Sequence, residues 1–159
     1  MRHLKILLFL ACISLSPAAK AQEIFYQVVN SAKNIIDDPQ ADPLMLSIAQ
    51  FKFTAMQYLC TTAIKRNGGQ VGADFLNQQA YSMNHFVTSY LSEIVKTQNS
   101  GAGKQKEVMK KYWQASAEHP LFNDTDTETV NSFMDAPDSI TPFSLDTDWE
   151  KADEAISLK

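Results

Sequence analysis

The sequence predicts an all-α domain, an irregular bundle of four main helices with two short C-terminal helices packed across it. Three observations lead there. Apolar residues recur at three- and four-residue spacing through four long segments. Proline, glycine and aspartate stand where those segments start and stop. No segment alternates apolar and polar residues for five positions and then meets a hairpin turn, so strand signals are scarce. The composition agrees, at 45% hydrophobic and 20% charged in 159 residues, which is globular and sized for one domain.

Residues 1–21 read as an export signal rather than as part of the fold. Arg2 and Lys5 form a positive start, 6–15 is an apolar run, Ser16 and Pro17 break it, and Ala19 and Ala21 supply the small residues of a cleavage site. Gln22 is then the mature N-terminus and 22–159 the single helical domain. Leu10-Ala11-Cys12 is a poor lipoprotein box, because Phe9 departs from the usual residue there. Removing 1–21 takes away Arg2, Lys5 and Lys20, leaving 11 basic against 18 acidic residues, a formal net charge of −7. That field opposes nucleic acid and anionic lipid unless a basic patch is concentrated locally. Cys60 is then the one cysteine, so no intrachain disulfide can form and the core must hold the chain alone. No later stretch is apolar enough to cross a membrane as a helix.

The helices follow in order. Over 22–37, Ile24, Phe25, Val28, Val29, Ala32, Ile35 and Ile36 set the first stripe, and Asp38-Pro39 ends it. Asp42 caps the second with Pro43 at its first position. That helix runs to about 67 with Leu44, Ile48, Phe51, Ala55, Leu59 and Thr62 inward, Met45, Phe53, Met56 and Cys60 beside them, and Gly68-Gly69 as its stop. The third, about 71–98, carries Leu76, Ala80, Met83, Val87, Leu91, Ile94 and Val95, flanked by Phe75, Phe86 and Tyr90. The fourth, about 104–118, carries Val108, Met109, Tyr112, Trp113, Ala115 and Ala117 and stops before Pro120.

Residues 118–159 hold eleven acids against Lys151 and Lys159. Two capping boxes, Thr125 with Glu128 and Thr147 with Glu150, announce the two short helices, with 137–143 extended between them. Phe133, Phe143 and Trp149 are anchors that a free acidic tail would not carry, so the tail is expected to dock. A buried Trp149 would bring its indole N–H to a partner. Lys104, Lys106, Lys110 and Lys111 mostly occupy one side of the fourth helix, and the tail is their expected partner.

Candidate chemistry is sparse. Cys60 lies on a strongly apolar helix and reads as a core thiol rather than a nucleophile. His85 shares the polar side of the third helix with Gln78, Tyr81, Thr88 and Ser92, as a surface residue or as part of a groove. His119 sits at a helix end, where the last carbonyls favour a cation. These residues lack the clustered spacing of a zinc site. Asp124, Asp126 and Glu128 match the first ligands of a calcium loop, but Thr129 replaces its glycine and Asp135 its final Glu. Helix capping explains the same residues. No catalytic residue, metal or cofactor is assigned, and the candidate ligand-binding residues are Tyr81, His85 and Trp113.

With its signal peptide, its helix over 50–64 and the stretch ITPFSLDTDWEK over 140–151, the chain resembles small secreted proteins of unknown function from Bacteroides-like bacteria. The resemblance implies export and carries over no catalytic residue. Asp138-Ser139-Ile140 also resembles the sequence at which such bacteria attach O-glycans. The leading expectation is a periplasmic or secreted binding or structural module without catalytic activity, for an unidentified protein or glycan ligand. The alternative is a hydrolase of cell-envelope or host glycans working through paired carboxylates.

Overall fold

A computed structural model describes residues 23–122, 141 and 143–157. They are all helical in architecture: α1 (Glu23–Asp37), α2 (Pro43–Arg66), α3 (Ala73–Thr97), α4 (Ala102–Ala117) and α5 (Trp149–Ser157). No helix among them is long and apolar enough to cross a membrane. The expected signal peptide, the Thr125 capping box, the calcium-loop residues Asp124, Asp126 and Glu128, and Ser139 lie outside the described residues.

The helix boundaries follow local chemistry. Asp42 accepts the N–H groups of Leu44 (2.9 Å) and Met45 (3.2 Å) on one carboxylate oxygen, and Pro43 opens α2. At its other end Gly68 takes φ +63 and Gly69 φ +96, and Gly69 donates its N–H to the Ile64 carbonyl at 2.9 Å. That is the six-to-one closure of a left-handed helix stop, strained for any residue with a Cβ.

Among the described helices, α3 is the hub, packing against all four others, while α1 packs along α2 and α5 lies against α3 and α4. The centre is a set of buried aromatic rings from four places in the chain: Phe51 on α2, Phe86 and Tyr90 on α3, Tyr112 on α4, and Phe143 and Trp149 from the C-terminal segment. They meet edge to face, Tyr90 to Phe143 at 4.9 Å, Phe86 to Tyr112 at 5.0 Å and Phe51 to Trp149 at 5.9 Å. The site is dry enough that burial pushes the Tyr90 hydroxyl up to about 12.

The stripes need correction at several positions. Phe86 and Tyr90, expected as flanks, are central because Phe143 and Trp149 dock on that side of α3. Val95, expected inward, is 54% exposed, since it lies across the helix from those two rings. Met45 and Ile24, in the first turns of α2 and α1, and Ala117, at the end of α4, are exposed as well, because the helix ends reach past the packed centre. Cys60 is buried, as expected of a core thiol.

The C-terminal segment returns beside the end of α4. Pro120 and Thr147 form an isolated antiparallel bridge, with Leu121 N–H on the Asp146 carbonyl (3.0 Å) and Asp148 N–H on the His119 carbonyl (2.7 Å). α5 starts one residue later than the expected capping box. Asp148, not Thr147, receives the Lys151 N–H at 3.4 Å, while the Thr147 hydroxyl donates to the Ser116 and Ser144 carbonyls. The hydroxyl proton ties a buried chain crossing together there, and the cap falls to Asp148.

Candidate functional site

The polar side of α3 is where the candidate residues begin. Gln78, Tyr81 and His85 follow at three- and four-residue spacing, which places them in one row on the helix surface. α5 lies along that row. Gln78 donates its amide to Glu150 at 3.3 Å, and His85 Nδ1 lies 2.8 and 3.0 Å from the two Asp153 oxygens. An ionised carboxylate only accepts, so Nδ1 carries the proton and Nε2 points away as the open nitrogen. His85 is half exposed, whereas Asp153 is largely covered.

Tyr81 stands next to this pair. Its ring is parallel to the His85 ring, 5° between planes and 6.4 Å between centroids, and the residue is 56% exposed. The chain thus presents two flat rings side by side, one of them fixed in rotation by a carboxylate. The arrangement can stack on a planar or apolar surface and form a hydrogen bond at Nε2. Among the described residues no hydroxyl or thiol bonds to His85, and Cys60 is buried. Nor does any group of three His, Cys, Asp or Glu side chains converge as a metal site among them.

Trp113 stands apart, on α4, 36% exposed. Helical spacing places it in a stripe with Lys106, Met109 and Lys110. The sequence joined Tyr81, His85 and Trp113 in one set; the structure pairs the first two and leaves Trp113 on a different helix. The four α4 lysines are also divided. Lys111 lies on the inner flank, 3.0 Å from Glu93 of α3 and over the Tyr112 ring at 5.1 Å.

Glu93 is a node between α3 and α4, accepting from Lys111 and from the Tyr112 hydroxyl at 2.8 Å. Burial acts to raise its carboxyl, but those bonds and the charges of Lys111 and Lys96 outweigh it and hold the carboxyl below its ordinary 4.5. Burial, then the bond to Glu93, then the Glu93 and Asp153 charges push the Tyr112 hydroxyl well upward.

A second polar node is buried. Gln79 donates its amide to Asp148 Oδ1 at 3.0 Å and accepts the Trp149 backbone N–H at 2.8 Å. Burial again acts to raise the Asp148 carboxyl, and the bonds from Gln79 and Lys151 with the Lys151 charge overcome it, holding it below 3.8. The Trp149 indole N–H is buried without a hydrogen-bond partner among the described residues, contrary to expectation, and the Trp149 rings pack edge to face on Phe51 and Phe86. Rings so placed can offer only a weak N–H···π contact.

Sequence reasoning missed Gln79, Asp148 and Asp153. Gln79 did leave a signal, a polar residue between Leu76, Ala80 and Met83 in an inward stripe. Asp153 left none, since it meets His85 across 68 residues of chain.

Comparison of the chain with protein-family models, curated proteins and solved structures gives no match.

Proposed function

We propose that the chain is an exported binding or structural module, periplasmic or secreted, that works without catalysis. In this reading residues 1–21 are removed, and four main helices with two short C-terminal helices across them form a rigid body. The observation that carries the proposal is the Tyr81–His85 pair: two exposed, parallel rings on the central helix, one held by Asp153. A large aromatic kept in water on a rigid helix has little ordering left to lose when a ligand covers it. The ligand is a protein or glycan surface with an apolar face.

Two of the carboxylates, Glu93 and Asp148, are unsuited to the general acid of a glycan hydrolase. A general acid needs a raised carboxyl. Glu93 and Asp148 are both lowered, and each is engaged by internal partners.

The test is titration of the protein with neutral glycans and peptides, followed by nuclear magnetic resonance, for wild type, Tyr81→Ala and His85→Ala. Ligand shifts should centre on Tyr81 and vanish in Tyr81→Ala, with both variants within about 1 kcal/mol of wild-type stability, as exposed residues should be. Turnover of a cell-envelope glycan by the wild type would overturn the reading.

A further inference from the structure

Tyr81 is surrounded by polar side chains that other helices hold in place. Gln78 lies one turn before it on α3, and Asn84 and His85 one turn after, so they are its neighbours on the helix surface, and all are exposed. Each has a partner on another helix. The Gln78 amide donates to Glu150 of α5 at 3.3 Å, His85 Nδ1 meets Asp153 of α5 at 2.8 Å, and Asn84 Oδ1 accepts from the Lys52 ammonium of α2 at 2.6 Å. These partners dictate how each amide is turned. A carboxylate only accepts, so Gln78 gives its amide N–H to Glu150 and retains Oε1 for a ligand. An ammonium only donates, so Asn84 gives Oδ1 to Lys52 and retains its amide N–H groups.

The result is an exposed flat ring with an acceptor at Gln78, donors at Asn84 and, at His85 Nε2, an atom that accepts or donates according to the charge of the imidazole. A helical rise of about 1.5 Å per residue spreads these groups over about 10 Å, on both sides of Tyr81 along the axis. We propose that this frame binds a neutral sugar unit of a glycan, with a C–H face of the pyranose ring on Tyr81 and its hydroxyls on Gln78, Asn84 and His85. The inference rests on the Tyr81 reading and narrows its ligand from a protein or glycan to an uncharged glycan.

The hydrogen-bonding pattern selects this partner. A hydroxyl both donates and accepts, so a ring edged with hydroxyls satisfies every one of these positions and suits Nε2 in either charge state. An apolar protein side chain would cover the same polar groups and leave them unpaired, at a cost for each. A sugar acid needs donors and positive charge. Glu150 and Asp153 support the frame on the α5 side and Lys52 on the α2 side, so carboxylates outnumber ammonium groups among its supports and an anion gains little there. Side chains held beforehand also have less ordering to lose when the sugar arrives.

The experiment is calorimetric titration of the protein with neutral gluco-, manno-, galacto- and xylo-oligosaccharides, with an oligogalacturonate and with a leucine-rich peptide. At least one neutral sugar should bind, with less than about twofold change between low and high salt. Tyr81→Ala should weaken it at least about tenfold and Tyr81→Phe less than about threefold, since the ring face is the platform. Asn84→Leu and His85→Leu should each weaken it about threefold to tenfold. Lys52→Met should cost about threefold in the wild type and nothing further in Asn84→Leu, because Lys52 acts through Asn84. Tyr81-dependent binding of the peptide and of no neutral sugar would overturn the sugar proposal and leave the Tyr81 reading standing, whereas no Tyr81-dependent binding of any probe would overturn both. Preference for the oligogalacturonate would also overturn the proposal. So would undiminished sugar binding in Asn84→Leu and His85→Leu, or additive losses from Lys52→Met and Asn84→Leu.

Discussion

α2 and the C-terminal segment over 143–149 bury aromatic rings in the same cluster, yet they reach it by different means. The α2 backbone is satisfied within its own helix, so Phe51 needs only a stripe at the right spacing. The segment is not helical before Trp149, and Phe143, Leu145, Asp146, Thr147 and Asp148 are all buried. A buried irregular chain must find partners for its polar groups elsewhere. Ser116, His119 and Gln79 supply them, at 3.1 Å to the Thr147 hydroxyl, 2.7 Å to Asp148 N–H and 2.8 Å to Trp149 N–H. Equal burial therefore demands a polar frame at one site and not at the other.

The largest test of this comparison removes an anchor from each side. Phe51→Ala and Trp149→Ala should each cost about 3–5 kcal/mol in denaturant melting, since both rings are buried and touch each other. The loss at Trp149 should persist in high salt, because apolar contact and not charge seats the segment. It should also be global, because removing the segment uncovers Phe86 and Tyr90 as well. If Trp149→Ala costs under about 1 kcal/mol, the segment is an appendage and the comparison fails.

A smaller effect isolates the polar frame. Gln79→Leu puts an apolar side chain of similar size there and leaves the Trp149 N–H and the Asp148 carboxylate without that partner. Unsatisfied buried groups cost about 1–3 kcal/mol, so a loss of about 2 kcal/mol is expected. A change such as Ala55→Gly in α2 touches no such frame, and should cost only about 1 kcal/mol through helix propensity. Equal losses would mean that Gln79 acts by packing alone.

The same distinction explains what was legible in the sequence. Helix existence, the Asp42 cap and the glycine stop are local, and the spacing of Ile48, Phe51, Ala55 and Leu59 already named an inward face. The docking of Phe143 and Trp149 could be expected from their apolar size, but not the side of α3 that receives them. That choice depends on Gln79 and Ser116, whose partners lie 69 and 31 residues away. It also moved Phe86 and Tyr90 from flank to centre. The candidate site was half legible: the spacing of Tyr81 and His85 makes them neighbours, while Asp153 and the division of the lysines needed the tertiary arrangement.

The smallest effect lies in acid, and it separates the buried node from the one at the rim. Both Asp148 and Glu93 are held below their ordinary values in the folded chain. A carboxylate lowered by folding stabilises the native state above its unfolded value, and that contribution is lost as pH falls through the folded one. Stability should therefore decline from the ordinary carboxylate range downward. Asp148→Asn keeps a good helix cap and an oxygen for Gln79 but loses the charge that faces Lys151, 3.0 Å away. At neutral pH it should cost under about 1 kcal/mol, and its melting midpoint should converge with wild type in acid, where the native carboxyl is itself protonated. Glu93→Gln should behave alike but lose its effect in salt, because Glu93 and Lys111 are each about one-third exposed whereas Asp148 is only 10% exposed. An Asp148→Asn deficit that stays constant down to low pH would show that packing, and not the lowered carboxyl, is what Asp148 contributes.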